Sequence, residues 1–229
     1  MTKKNAIVLL SGGVDSTTCL AVAKKEGYIL YALTFDYGQR HKFEIQASKK
    51  IAKSLGVKEH LILKLDRRAL SGSALTSPDI PVPKNRKFSK TKKEIPVTYV
   101  PARNIIFLSF ALAWSEIIPS EDIFIGINAV DFSGYPDCTP EFIETFKKMA
   151  MVGTRSGVQG NPISIHTPLL NLSKSEIIRW GVELRVDFSL THSCYDPGKN
   201  GIACGHCDAC QLRLKGFAQA GLTDPIKYA

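Results

Sequence analysis

The sequence predicts an α/β protein built on a doubly wound, mostly parallel sheet, and three observations carry that prediction. Five apolar residues, Ala6 to Leu10, run without a break into Ser11-Gly12-Gly13-Val14-Asp15-Ser16. An unbroken apolar run is what a strand buried on both faces of a parallel sheet requires, and Gly-Gly marks the turn that ends it. Apolar, β-branched runs then alternate with segments of helical period, the order that strand–helix–strand units demand. Finally, 229 residues with 44% hydrophobic content suffice for one well-buried core and a small appendage.

Taken in order, the first strand is Ala6 to Leu10, and the helix after it starts near Asp15 or Ser16, both good capping types, and stops at Gly27. Tyr28 to Phe35 is aromatic and β-branched, a second buried strand. It runs into Asp36-Tyr-Gly-Gln-Arg-His41, at the edge where open α/β sheets bind ligands. Phe43, Ala47, Ile51, Ala52 and Leu55 give one apolar helix face up to Gly56, and Glu59 to Leu65 supplies a third strand. From Asp66 to Tyr99 the periodicity lapses, and a gap this long is a functional lid or a disordered loop.

Order resumes at Val100-Pro-Ala-Arg103-Asn104, and Ile105 to Trp114 is a helix apolar on most sides, hence central. Asp122 to Ile127 is the fourth strand, Thr139-Pro140-Glu141 opens a capped helix, and Pro162 to His166 is a short strand. Ser173-Lys174-Ser175-Glu176 is a capping box for a short helix closed by Gly181, and Gln211 to Ala220 is a last helix ending at Gly221. The expected organisation is one domain over residues 1–190, with a flexible loop near 66–99, and a C-terminal segment over 191–229 packed on it.

A net charge of +9 fits either nucleic acid or an anionic small substrate. Six of the ten residues from Lys84 to Lys93 are basic, a solvated loop or one that orders over anionic ligands. No stretch has the roughly 18 apolar residues of a membrane span, and no secretory leader pattern follows Met1, so a cytoplasmic location is expected. In a reducing compartment the six cysteines are ligands, nucleophiles or small buried residues rather than disulfides.

The chemistry concentrates in two places. A strand end, two glycines, two hydroxyls and a helix N-terminus together make a phosphate cradle at Ser11 to Ser16. It has neither the lysine of the common nucleoside-triphosphate loop nor a Gly-x-Gly-x-x-Gly pattern. The second place is Cys194 with Cys204-Gly-His-Cys207-Asp-Ala-Cys210, where two-residue spacings let thiolates converge on tetrahedral zinc with no open position. An iron–sulfur run and a redox pair are the alternatives; the first lacks its usual cysteine before proline, and the second is disfavoured by three thiols so close together.

Ser11-Gly12-Gly13-Val14-Asp15-Ser16 resembles the diphosphate-binding loop of the ATP pyrophosphatase family, which splits ATP between its α and β phosphates and adenylates a substrate oxygen. Together with Val100-Pro-Ala-Arg-Asn104, Asp131 to Cys138, Thr191 to Pro197 and the cysteine cluster, the whole chain from Ile7 to Tyr228 resembles the 7-cyano-7-deazaguanine synthase family. One departure is local: Leu184-Arg185-Val186-Asp187 stands where the family tends to have Leu-Gly-Val-Asp.

The resemblance implies an adenine-nucleotide hydrolase-like fold and a reaction of a deazapurine carboxylate with ammonia and ATP. Magnesium accompanies the nucleotide and zinc is structural. The implied nucleotide site is Leu10, Ser11, Gly12, Gly13, Val14, Asp15, Ser16, Thr17 and Thr18, with Leu33 and Phe35 bracketing adenine. Asp15 has two readings, helix cap or indirect magnesium ligand. Arg103 and Asn104 are candidates for phosphate or the substrate carboxylate, Tyr135 and Asp137 for the deazapurine, and Lys174 for phosphate or plain surface. Cys138 lines the pocket, since the chemistry needs no thiol. A homodimer is compatible with the resemblance. The rivals are a tRNA sulfurtransferase on the same loop, an amide ligase stopping after one activation, and a zinc-containing nucleic-acid adaptor, which the elaborate cradle disfavours.

Overall fold

The computed structural model describes residues 3–86, 95–130 and 134–229. Five parallel strands, β1 (Asn5–Leu9), β2 (Ile29–Asp36), β3 (Glu59–Lys64), β4 (Asp122–Ile125) and β5 (Ser164–His166), lie in the order β3-β2-β1-β4-β5. Pairing pairs Ile7 with both Tyr31 and Ile123, which puts the most apolar strand at the centre. The alternation of side chains along β1 explains its unbroken hydrophobicity. Ile7 and Leu9 enter one core with β2 residues Tyr31 and Leu33, whereas Ala6, Val8 and Leu10 enter another.

Helices cover both faces. α1 (Val14–Lys25), α2 (Phe43–Leu55), α6 (Lys174–Glu183) and α7 (Asp208–Gln219) pack on the Ala6 face; α3 (Arg103–Ile117) and α4 (Pro140–Gly153) pack on the Ile7 face. A one-turn helix α5 (Arg155–Val158) follows α4. The doubly wound, parallel prediction is therefore what the chain adopts.

Several boundaries differ from the sequence reading, one of them for a tertiary reason. α1 starts at Val14, with Gly13 at the capping position and no side-chain cap, so neither Asp15 nor Ser16 caps it. Gly181 does not end α6; the helix passes through it to Glu183, because a Cβ there would lie 2.4 Å from the Phe188 ring and 2.9 Å from Thr18 Oγ1. Glycine is chosen for close packing of α6 on α1. The last helix begins three residues early, at Asp208, with Cys207 at its capping position.

The stretch from Asp66 to Tyr99 has little regular structure in its described part, but it is tied down. Leu70, Ala74, Leu75 and Val82 are buried, and Arg40 Nη2 donates to the carbonyls of Ser77, Pro78 and Ile80 at 2.9–3.2 Å. Of the basic run, Lys84 pairs with Asp196 at 3.0 Å and Arg86 with Asp208 at 2.7 Å, while Lys87 to Lys93 lie outside the described residues.

Arg185, where the resemblance leads one to expect glycine, adopts φ +60° just after α6. A non-glycine residue in the left-handed region costs about 1 kcal/mol or more. Arg185→Gly is accordingly expected to raise the unfolding free energy by about 0.5–1 kcal/mol, the strain relieved less the entropy added to the unfolded chain. Denaturant titration checks it, and an unchanged or lower midpoint would show the turn unstrained.

Candidate active site at the carboxyl edge of the sheet

β1, β2 and β4 all end on one cleft of about 300 Å³. Leu9 and Ile125 mark the ends of β1 and β4 on its wall, the final residues of β2 border it from Leu33 to Phe35, and α1 points its N-terminus into it from Gly13. This is the crevice outside the carboxyl ends of a parallel sheet, beside the strand where the chain order reverses.

The loop from Ser11 to Ser16 is held from within and from three sides. Ser16 Oγ lies 3.0 Å from Ser11 Oγ, donates to the Gly13 carbonyl at 3.2 Å and accepts from the Ser11 amide at 3.2 Å. Gly12 has φ +89° and faces α2, where a Cβ would sit 2.4 Å from the Glu44 carbonyl oxygen and 2.8 Å from the Ser48 nitrogen. Opposite, the His192 amide donates to the Gly12 carbonyl at 2.9 Å. Gly126, at the end of β4, closes the third side; its Cβ would meet the Asp15 carbonyl at 2.9 Å. Backbone amides at the α1 N-terminus are thereby fixed toward the cleft, an arrangement suited to an anion.

Most of the residues singled out from sequence meet here. Leu10, Ser11, Gly13, Val14, Asp15, Ser16, Leu33, Phe35, Arg103, Asn104, Tyr135 and Lys174 all line the cleft. Lys174 is not plain surface: its Nζ donates to both Asp15 carboxylate oxygens at 2.6 Å. Phe35 stacks on Phe107 at 3.8 Å with the planes 2° apart, so its ring is already paired. Tyr135 donates its hydroxyl to Thr98 Oγ1 at 2.9 Å, and Arg103 Nη1 donates to the Tyr37 hydroxyl at 3.4 Å.

Four of the sequence candidates sit elsewhere. Gly12 shapes the loop without lining the cleft. Thr17 is 2% exposed and bonds back to the Gly13 carbonyl at 2.7 Å, and Thr18 is fully buried against Gly181. Asp137 is also buried, and its Oδ2 accepts from the Asn104 amide at 2.9 Å, which caps α3 from another segment because Ala102 at the capping position has no acceptor to offer. Cys138 lines the cleft with its thiol pushed up to about 12 by burial and by the Asp137 carboxylate, so it stays protonated and unreactive.

Glu44, Tyr37, His192, Tyr195 and Arg213 complete the wall, and sequence reasoning passed them over. The polar strand end from Asp36 to His41 and the Thr191 to Pro197 motif were their only signals. Arg213 is 2% exposed and pairs with Asp224 at 2.8 Å; the same guanidinium donates to Thr191 Oγ1 at 2.7 Å and to the Phe188 carbonyl at 3.2 Å.

Sγ atoms of Cys194, Cys204, Cys207 and Cys210 lie within 4.8 Å of one another, all buried. A tetrahedron with metal–sulfur bonds of about 2.3 Å has sulfurs about 3.8 Å apart, so the four fit one ion with small adjustment. Backbone amides of Tyr195, Cys204, His206 and Cys207 donate to these sulfurs at 3.2–3.4 Å, the support that metal thiolates receive.

The family model described as "Queuosine biosynthesis protein QueC" matches residues 5–221. The chain belongs to the QueC family. A 7-cyano-7-deazaguanine synthase of Geobacter sp. (strain M21) is 58% identical over 226 residues, covering 99% of this chain and 98% of that one. One of Paramagnetospirillum magneticum is also 58% identical over 226 residues, with 99% of both chains covered. Among solved structures, the NMN synthetase from Francisella tularensis superposes with a TM-score of 0.50 at 16% identity, covering 96% of this chain and 79% of that chain, a likeness of fold. None of the helices among the described residues is long and apolar enough to cross a membrane.

Gly12→Ala is expected to cost about 2 kcal/mol or more, a left-handed backbone plus a clash with α2, and so to lower the melting temperature by about 4–8 °C. It should also abolish stabilisation by inorganic diphosphate in thermal-shift measurements. Retention of that stabilisation would separate the loop geometry from anion binding.

Proposed function

We propose that the chain is a 7-cyano-7-deazaguanine synthase that turns 7-carboxy-7-deazaguanine and ammonia into the nitrile, in two ATP-dependent activations that each release diphosphate and AMP. The 58% identity, over nearly the full length, to relatives carrying that name is the observation that carries the reading. The cleft supports it.

In the first activation the substrate carboxylate attacks the α-phosphorus of ATP and diphosphate leaves. Charge on the leaving group grows where the amides of Ser11 to Ser16 and the α1 N-terminus are already oriented, so stabilisation requires no rearrangement. Lys174 stands beside the loop, and its bond to Asp15 keeps the ammonium head aimed into the cleft. Magnesium would neutralise phosphate charge, and the Asp15 carboxylate is the loop group placed to hold it through water. Arg103 carries no ion pair among the described residues and supplies a fixed cation for the substrate carboxylate, with Tyr135 alongside for the deazapurine ring.

Ammonia then displaces AMP to give an amide. A second ATP activates the amide oxygen, and loss of AMP leaves the nitrile. One site serves both activations because each converts a poor leaving oxygen into a phosphate ester. The cysteine cluster takes zinc as a closed structural ion with no part in the reaction; its place is to fix the 191–195 segment against α7.

Incubation with ATP, magnesium, ammonium and the carboxy-deazaguanine is expected to give the nitrile by mass spectrometry with two AMP formed per nitrile. Amide alone as the end product would reduce the chain to an amide ligase, and release of ADP with inorganic phosphate would remove the reading altogether. Ser16→Ala, which unpins Ser11 and Gly13, should lower kcat/KM by about 100-fold, the usual cost of losing one stabilising donor. For the metal, one zinc per chain is expected by elemental analysis, and Cys207→Ser should lose it and melt at lower temperature; a full complement of zinc in that variant would place the ion elsewhere.

A further inference from the structure

The reaction proposed above brings together an anion, the substrate carboxylate, and a cation, because ammonia at neutral pH is almost wholly ammonium. The cleft wall is charged to match. Lys174 and Asp15 neutralise each other at 2.6 Å, and Arg213 is neutralised by Asp224 at 2.8 Å. Two charged groups are left over among the described residues: the Arg103 guanidinium and the Glu44 carboxylate both line the cleft, and neither has an ion pair within 4 Å.

Glu44 stands in the first turn of α2, its backbone carbonyl held against Gly12 of the loop. Its carboxylate carries no hydrogen bond among the described residues. Arg103 and Tyr37 are its electrostatic neighbours, from α3 and from the end of β2. The remaining titratable groups on the wall are Asp15, Lys174, Cys138, His192, Tyr135 and Tyr195, together with the buried Arg213. Burial pushes the Glu44 carboxyl up to about 7, with Arg103 opposing, so near neutrality it can both accept a proton and give it up.

Resting on the synthase reading, we propose that the Glu44 carboxylate binds ammonium and is the base that frees ammonia for attack on the acyl adenylate. One N–H proton passes to a Glu44 carboxylate oxygen. The freed nitrogen lone pair forms the C–N bond at the carbonyl carbon, and the C–O bond to phosphate breaks with its electron pair leaving on AMP. A second N–H proton goes to the departing phosphate oxygen, and Glu44 returns its own proton to water. No oxidant or further reactant is needed.

The test compares wild type with Glu44→Gln and Glu44→Asp at saturating ATP, magnesium and carboxy-deazaguanine, with ammonium varied. Diphosphate release from wild type without ammonium reports adenylate formation; its absence would overturn the synthase reading and the role of Glu44 with it, whereas the variants test Glu44 alone. In Glu44→Gln that first burst reports folded, adenylating enzyme, while amide formation should fall by about 100-fold or more and the KM for ammonium should rise. Wild-type kcat/KM for ammonium should rise with pH to a plateau above about pH 7, because the proton acceptor must be ionised, and the variant should lose that limb. Glu44→Asp should recover part of the rate. Hydroxylamine, mostly unprotonated at neutral pH, should narrow the gap between wild type and Glu44→Gln. Amide formation by Glu44→Gln within threefold of wild type, or a defect confined to the KM for the deazapurine, would overturn the proposal and make Glu44 a structural or base-reading group.

Discussion

A backbone hydrogen bond from the His192 amide to the Gly12 carbonyl joins the Ser11–Ser16 loop to the segment that leads into the cysteine cluster. The loop's own serine hydroxyls take the Ser11 and Gly13 amides, and its placement comes from its neighbours. It is clamped between α2, which meets Gly12 too closely for any Cβ, and the 191–193 segment. That segment depends in turn on Arg213. The buried guanidinium takes Thr191 Oγ1 and the Phe188 carbonyl on one side and Asp224 on the other, so α7, the preceding chain and the C-terminal tail share one cation. An ion pair buried this deeply is expensive to desolvate, and removing one partner would strand a charge at a cost of about 3–5 kcal/mol. The cysteine cluster lies in the same chain of connections, with Cys194 two residues beyond His192 and Cys207 at the capping position of α7.

Pairing of charge within the cleft follows a related logic. Opposite charges on neighbouring walls would ordinarily collapse together, and Lys174 with Asp15 does so, tying α6 to α1 at the loop. Arg103 is kept apart from Glu44 by what each is attached to. α3 is fixed at its first turn by Asp137, which replaces the capping side chain that Ala102 lacks, and α2 is fixed by its contact with Gly12. Two half-buried, opposite charges held at separate stations are costly to the fold, and such unpaired charge in a cleft is the mark of a functional site.

The parts of this arrangement carried by local pattern were legible in the sequence. Ala6 to Ser16 announced strand, loop and helix because burial on two faces forces an unbroken apolar run and the turn forces glycine. The capping box at Ser173 and Glu176 forms as its spacing requires, and the cysteine spacings converge as two-residue turns must. What was not legible depends on partners remote in sequence. Asp137 looked like a ligand group and is a helix cap for residues thirty-odd positions away. Gly181 looked like a helix stop and is a packing contact with Phe188. Lys174 read equally as a phosphate contact or as surface, and only the fold brings it to Asp15 of α1. Glu44 gave no signal, because an acid in the first turn of an amphipathic helix is ordinary and only the fold turns it toward the cleft.

Chemistry by electrostatic placement alone is consistent with the state of the one thiol that lines the cleft among the described residues. Cys138 is pushed up to about 12 by burial and by Asp137, against the opposing pull of Arg103 and of the Asn104 side-chain amide that donates to its sulfur at 3.2 Å, so its thiol stays protonated. On the proposed pathway this matters, because an acyl adenylate is attacked by any thiolate within reach, and a thioester would divert the carboxylate from nitrogen. The group that lifts the thiol, Asp137, is the same group that caps α3 and thereby places Arg103. Capping the helix that carries Arg103 and helping to keep the neighbouring thiol protonated are thus two consequences of one buried carboxylate.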